Sequence, residues 1–266
     1  MRIVERMDRL RREKRKALSL FVTAGYPTIG TTVPLVLALA GAGADLIEIG
    51  IPFSDPIADG PTIQQSSEVA LRNGITVQKA LDMVQEIRTQ SDVPVVLMGY
   101  ANPIYAYGAA KFFSTGKKIG VDGTIIPDMP LEESDEYRTL ARQHDIASVF
   151  LAAPTTTPDR LVQLDKASTG FLYCVSVTGV TGERQAVAPQ TELFLKQARS
   201  CVKNNPLLVG FGISTPDDAR RIASLSDGII IGSALINVMQ SAGTNDLIGR
   251  AGEFVRSMRM ALDDLQ

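Results

Sequence analysis

Short apolar runs of four to six residues, rich in Val, Ile and Leu, alternate along the chain with longer stretches whose apolar positions recur every three or four residues. The first pattern is that of strands buried on both faces, the second that of helices with one buried face. Strands are predicted at 18–22, 45–49, 95–98, 121–126, 147–151, 171–175, 207–210 and 228–231. Helices are predicted at 31–42, 69–72, 77–90, 109–117, 132–143, 158–166, 192–202, 216–224 and 247–262. Ahead of the first strand, Ile3, Met7 and Leu10 stand at helical spacing and predict an extra amphipathic helix. Eight strand–helix units in about 250 residues form the pattern of an α/β protein of the (β/α)8 barrel type, with its site at the C-terminal ends of the strands. No Gly/Ser-rich or highly charged linker divides the chain, so residues 1–266 are expected to be a single barrel domain. An open doubly wound sheet is disfavoured, because Thr23-Ala24-Gly25-Tyr26-Pro27 follows the first strand where a Gly-x-Gly-x-x-Gly turn would be expected.

The second strand breaks its own pattern. Leu46, Ile47, Ile49 and Ile51 are apolar, yet Glu48 stands among them. With a side-chain period of two, Leu46, Glu48 and Gly50 share one face. An ionised, unpaired carboxylate in a dry interior is costly, so such a group tends to hold its proton towards neutral pH, as a general acid or base requires. A structural carboxylate that accepts backbone hydrogen bonds or pairs with Lys or Arg is the competing reading. The strand runs into a loop stiffened by Pro52, Pro56 and Pro61, which presents Asp55 and Asp59 just beyond the strand's C-terminal end. Turn-forming Asp beside Pro and Gly is the plainer account of either one alone.

The net charge of −2, from 27 basic and 29 acidic residues, gives no electrostatic reason to expect nucleic acid or a membrane surface as partner. Basic residues crowd the first 16 positions, but the apolar stretch 17–24 is short, contains Ser19 and Thr23, and ends in a turn, so a signal peptide is not expected. Cys174 and Cys201 lack ligand spacing and read as packing residues in a reducing compartment, here the cytoplasm. The single histidine, His144, ends a helical pattern, which leaves no parts for a zinc site or a Ser-His-Asp triad.

Two glycine-rich turns follow the seventh and eighth predicted strands: Gly210-Phe211-Gly212-Ile213-Ser214 and Gly232-Ser233-Ala234-Leu235. In (β/α)8 barrels those two loops, with the N-terminus of a short extra helix after strand eight, commonly bind phosphate through backbone N–H groups. Each glycine alone could serve only a tight turn; the pair at these two strands points to a phosphorylated small molecule. A long loop, 176–189, follows the sixth strand, and its Gly179 and Gly182 suit either a closing lid or a mobile surface loop.

Ile47-Glu48-Ile49-Gly50-Ile51-Pro52-Phe53-Ser54-Asp55-Pro56, continuing into Ala58-Asp59-Gly60-Pro61-Thr62-Ile63-Gln64, resembles the signature of tryptophan synthase alpha subunits. Gly179-Val180-Thr181-Gly182, the Gly-Phe-Gly-Ile-Ser turn and Gly120-Val121-Asp122-Gly123 with Pro127-Asp128-Met129-Pro130 are similar to the same family, in the same order. The resemblance implies cleavage of indole-3-glycerol phosphate to indole and glyceraldehyde 3-phosphate. It implies Glu48 as the acid/base, Asp59 as the loop acid and Tyr173 at the end of the sixth strand. It implies Phe21 and Met98 as walls around the indole, and Thr181, Gly182, Phe211, Gly212, Gly232 and Ser233 around the phosphate. It further implies no cofactor in this chain, and a beta subunit carrying pyridoxal phosphate, docked in an alpha2beta2 heterotetramer through the 52–61 loop. A stand-alone lyase and a phosphate-binding regulatory subunit without turnover are the alternatives.

Overall fold

The computed structural model describes residues 1–175, 189–210, 212–243 and 246–265. Its nine strands are β1 (Ala17–Thr23), β2 (Leu46–Gly50), β3 (Val95–Met98), β4 (Gly123–Ile125), β5 (Ala147–Val149), β6 (Leu151–Ala152), β7 (Leu172–Val175), β8 (Leu207–Gly210) and β9 (Gly228–Ile231). All pair in parallel, in the order β5-β4-β3-β2-β1-β9-β8-β7-β6. The two ends of that order are consecutive in the chain, separated by Phe150 alone. They are one predicted strand, broken where the Phe150 amide turns to the Ser168 hydroxyl and its carbonyl accepts the Tyr173 amide. The sheet is therefore a nearly closed barrel of eight staves, as the alternating pattern predicts.

Two apolar layers hold it. Side chains of period two fill the interior: Leu46, Val96, Ile125, Ala147, Val149, Phe171, Leu208 and Ile230. Ile3, Met7 and Leu10 of the extra N-terminal helix α1 (Arg2–Arg12) join this layer and plug the floor, the end where the strands begin. A larger cluster fills the space between the strands and the surrounding helices. Gly228 is required by close approach, since a Cβ there would stand 2.5 Å from that of Ala17.

The floor is organised by carboxylates that lie immediately before strands. Asp45, Asp122 and Asp227 precede β2, β4 and β9, and accept the amides of Leu18, Val95 and Leu207 at the starts of β1, β3 and β8. Each satisfies a strand-end donor that the ladder leaves over. Arg259 and Arg6 pair with Asp45, and Arg88 and Arg2 with Asp122, so α1 is tied to the floor by charge as well as by its apolar face.

After α1 come α2 (Thr32–Gly41), α3 (Pro61–Arg72), α4 (Val77–Arg88), α5 (Ala101–Tyr107), α6 (Ala109–Ile119), α7 (Asp135–Gln143), α8 (Pro158–Ala167), α9 (Pro189–Cys201), α10 (Pro216–Ala223), α11 (Ser233–Ser241) and α12 (Leu247–Asp263), and their boundaries depart from the expected ones where apolar periodicity is diluted. α3 (Pro61–Arg72) begins eight residues before the predicted 69–72 segment, with Pro61 in its first turn after Gly60. Its buried face includes Ser66 and Ser67, which carry no hydrophobic signal, and Ser66 instead shares a 2.6 Å hydrogen bond with Thr23. α5 (Ala101–Tyr107) contains Pro103 and was not predicted at all. His144 lies at the end of α7 (Asp135–Gln143), and Cys174 is buried, its thiol pushed up to about 12 by that burial. No helix among the described residues is long and apolar enough to cross a membrane, and no cluster of three or more His, Cys, Asp or Glu among them could hold a metal.

Candidate active site at the barrel mouth

Strand alternation puts Glu48 inside the barrel on the face of Leu46, and its side chain is fully buried. The Ser19 hydroxyl, from the neighbouring β1, donates to Glu48 Oε1 at 2.7 Å, and Oε2 has no hydrogen-bond partner among the described residues. Burial pushes the carboxyl up to about 7, opposed by the Ser19 bond, which favours the charged form. Buried structural carboxylates here are paired with arginine, as Asp45 and Asp122 are, or accept backbone amides, as Asp165 does from Lys203, Asn204 and Asn205; Glu48 does neither among the described residues.

Asp59 sits in the loop after β2. The loop folds on itself through Ile57 N–H to Asp55 O and Asp59 N–H to Pro56 O, at 2.9 and 3.0 Å. Gln64 at the start of α3 donates to the Asp59 carbonyl at 2.8 Å. The Asp59 side chain accepts a 3.0 Å bond from the Tyr100 hydroxyl, which in turn accepts the Ala58 amide. Burial raises this carboxyl to about 6, with the Tyr100 bond working against the rise. Asp55 separates from Asp59: it is exposed, and its partner is the neighbouring Ser54 hydroxyl.

Tyr173 of β7 feels the charges of both Glu48 and Asp59, which together with burial hold its hydroxyl well above the ordinary range. The three groups thus share one electrostatic neighbourhood. Space for the Tyr173 ring exists because position 210 is glycine, where a Cβ would stand 2.6 Å from the hydroxyl oxygen. Phe21 depends likewise on Gly50, whose Cβ would lie 2.4 Å from the ring, and it reaches Gly232 on the other side. Met98, paired with Gly50 across β2 and β3, packs against both apolar layers.

The candidate phosphate loops divide. α10 (Pro216–Ala223) has its N-terminus occupied by its own capping box, in which Thr215 and Asp218 bond each other's backbone amides. The short extra helix expected after the last strand is α11 (Ser233–Ser241); its N-cap is Gly232, with no side-chain cap among the described residues, so its first amides can meet an anion. Gly212 has φ +46°, and apart from its chain neighbours no heavy atom of the described residues lies within 4 Å of where a Cβ would be, so its backbone is open to close approach on that side. Thr181, Gly182 and Phe211, with residues 176–188 of the strand-six loop, lie outside the described residues.

Ser19 and Tyr100 were not anticipated from sequence. Ser19 carries a signal in being polar within the run Leu18-Ser19-Leu20-Phe21-Val22. Tyr100 stands two residues past the end of β3, at the rim where this fold collects its chemistry. The arrangement offers one buried acid poised near neutrality, a second at the mouth that ionises more readily, and an uncapped helix start for an anion. Those parts suit proton exchange on a phosphorylated substrate.

Comparison with known proteins agrees with this geometry. The sequence model of the family described as tryptophan synthase alpha chain matches residues 7–262. A tryptophan synthase alpha chain of Caldanaerobacter subterraneus is 45% identical over 262 residues, 98% of this chain and 99% of that one. One from Geobacter sulfurreducens is 42% identical over 98% of each. The crystal structure of tryptophan synthase subunit alpha from Legionella pneumophila superposes with TM-score 0.92 at 38% identity, over 99% of this chain and 98% of that one. A structure of tryptophan synthase from M. tuberculosis in an open form superposes with TM-score 0.88 at 31% identity, over 98% of each chain.

Proposed function

The chain belongs to the tryptophan synthase alpha chain family, and we propose from that premise how its residues perform the family's reaction. It is a lyase of tryptophan biosynthesis that cleaves indole-3-glycerol phosphate to indole and glyceraldehyde 3-phosphate. Breaking the bond between indole C3 and the glycerol chain requires C3 to be protonated first, which places positive charge on the ring. The hydroxyl on the adjacent side-chain carbon must then lose its proton as the aldehyde leaves.

Glu48 does both. Protonated, it is the acid for C3; once ionised, it is the base for the hydroxyl, and a pKa of about 7 keeps both forms accessible. Asp59, ionised, accepts the indole N–H and stabilises the ring cation as it forms. Tyr173 is a third polar group of the reaction zone, and Phe21 and Met98 flank the indole. Gly212, Gly232 and Ser233 receive the phosphate, with Thr181, Gly182 and Phe211 assigned to the same site by sequence. The protons are moved by this chain's own carboxyls, so we assign it no cofactor.

An alpha chain implies a beta chain. We assign the 52–61 loop as the docking element, because Ile57 at its tip is 84% exposed on the same loop that carries Asp59. Indole then passes to a beta subunit that carries pyridoxal phosphate, in an alpha2beta2 assembly located in the cytoplasm.

The observation that carries this reading is the fully buried Glu48 carboxyl, one oxygen of which has no hydrogen-bond partner among the described residues. Its test is indole released from indole-3-glycerol phosphate by the purified chain, alone and with a beta subunit plus serine. Slow release that accelerates with the partner, is lost in Glu48→Gln and is mostly lost in Asp59→Asn is expected. Fast release without a partner would mark a stand-alone lyase, and none in either condition would refute the catalytic assignment.

A further inference from the structure

Glu48 has a single hydrogen-bond partner among the described residues. The Ser19 hydroxyl donates to Oε1 at 2.7 Å, this is its only bond among the same residues, and both side chains are fully buried. The register of β1 on β2 sets Phe21 opposite Glu48 and Ser19 opposite Leu46. The hydroxyl therefore reaches the carboxyl diagonally along the barrel's inner face, from one residue pair nearer the floor. Oε2 has no partner among those residues.

We propose that Ser19 is a positioning residue: by pinning Oε1 it fixes the plane of the Glu48 carboxyl and reserves Oε2 as the oxygen that exchanges protons with the substrate. The inference rests on the assignment of Glu48 as the acid/base. In the forward step the Oε2–H bond breaks and its proton forms the new C–H bond at indole C3. The carboxylate then takes, through the same oxygen, the proton of the hydroxyl on the carbon attached to C3. The electrons of that O–H bond become the aldehyde C=O, and those of the C–C bond return to the ring. The carboxyl ends as it began, with no proton or electron consumed.

A hydroxyl donating to a carboxylate oxygen favours the ionised form, so Ser19 holds Glu48 below the value that burial alone would impose. Among the described residues, the titratable groups that share its surroundings are Tyr173, from β7, and Asp59, from the loop after β2. On β3 the facing residues are Val96 and Met98, neither of which titrates. Tyr173 and Asp59 both remain in a Ser19 variant, so a change in Glu48 reports the lost hydroxyl.

The experiment uses Ser19→Ala and Ser19→Thr in the full chain. Infrared difference spectra across a pH titration follow the protonated carboxyl stretch of Glu48, assigned by its loss in Glu48→Gln. The Glu48 midpoint is expected to rise by about one pH unit in Ser19→Ala and to return in Ser19→Thr. In the indole-release assay the alkaline limb of kcat/KM moves with it, the acid limb stays, and kcat at neutral pH falls about tenfold with KM little changed. Should Ser19→Ala fail to fold, Ser19→Cys, nearly isosteric and a weaker donor, carries the same expectation. An unmoved midpoint in a folded variant overturns the inference, as does a moved midpoint with kcat unchanged. If the wild-type chain releases no indole, it is the functional assignment that falls, while the titration still decides whether Ser19 governs the carboxyl.

Discussion

The Tyr100 hydroxyl and Asp59 Oδ2 lie 3.0 Å apart, joining residues 41 positions apart in sequence. The same hydroxyl oxygen accepts the Ala58 amide, and the Tyr100 ring packs at 5.3 Å from that of Phe53. The end of β3 thus holds the loop that follows β2, and one side chain both aims the Asp59 carboxylate and moderates its affinity for protons.

Tyr100→Phe removes that bond while keeping the ring. Because the bond lowers the Asp59 pKa from what burial would give, its loss moves the acid limb of kcat/KM to higher pH, by about half a unit to one unit. A pH profile of indole release measures this; an acid limb left in place would show that Tyr100 only packs.

The two carboxyls bracket a narrow working range. Asp59 is to be ionised, which requires pH above about 6, and Glu48 is to begin protonated, which requires pH below about 7. The expected kcat/KM profile of the free chain is a bell whose limbs fall near those two values. Asp59→Asn, in the residual activity it retains, is expected to lose the acid limb alone.

Glu48 also carries a stability signature opposite to its catalytic one. Its folded value of about 7 exceeds the ordinary 4.5, so the folded chain holds a proton that the unfolded chain releases. That contribution is complete below about pH 4.5 and is lost as pH rises through 7, up to about 3 kcal/mol in all. Glu48→Gln is therefore inactive yet more stable than wild type at pH 8, with the difference vanishing near pH 4.5. Urea denaturation at the two values measures it.

At the uncapped start of α11, Ser233→Asp would place an anion where the substrate phosphate is to bind. A carboxylate in a helix's first turn favours the helix itself, so folding is expected to hold. The Michaelis constant for indole-3-glycerol phosphate should rise at least about tenfold with kcat nearly unchanged. Steady-state kinetics at varied substrate decide the matter, and an unaltered constant would move the phosphate elsewhere.

On the floor, Asp122→Ala leaves Arg88 buried without its carboxylate and the Val95 amide without its acceptor. Removing one partner of such a pair costs about 3–5 kcal/mol. Thermal unfolding should report that loss, while kcat per folded molecule, from active-site titration, stays at the wild-type value.

The barrel was legible because its staves are buried on both faces and read as predominantly apolar runs, and Glu48 was legible because it sets a charge within one of them. What escaped is where polarity itself is buried. The serines of α3 hide that helix's inner face, and Ser19 and Tyr100 acquire their roles only when β1 and β3 are laid beside β2. The break at Phe150 answers to Ser168 and Tyr173, partners 18 and 23 positions away that no local pattern announces. Asp55 and Asp59 look alike as turn residues, and only the fold of the loop turns one to solvent and the other to Tyr100.

The carboxylates before β2, β4 and β9 give the molecule an axis along which robustness and reactivity are separated. Acids at the base are held by arginines and amides, and they clamp the cylinder shut; Glu48 above them keeps one oxygen without a partner among the described residues, free to exchange a proton. A lineage could therefore rewrite the rim, exchanging one substrate for another, while inheriting the foundation unchanged. The same division marks where an engineer should cut: loops at the mouth are open to redesign, whereas a permuted terminus placed among the basal clamps would sever the ties that hold the cylinder together.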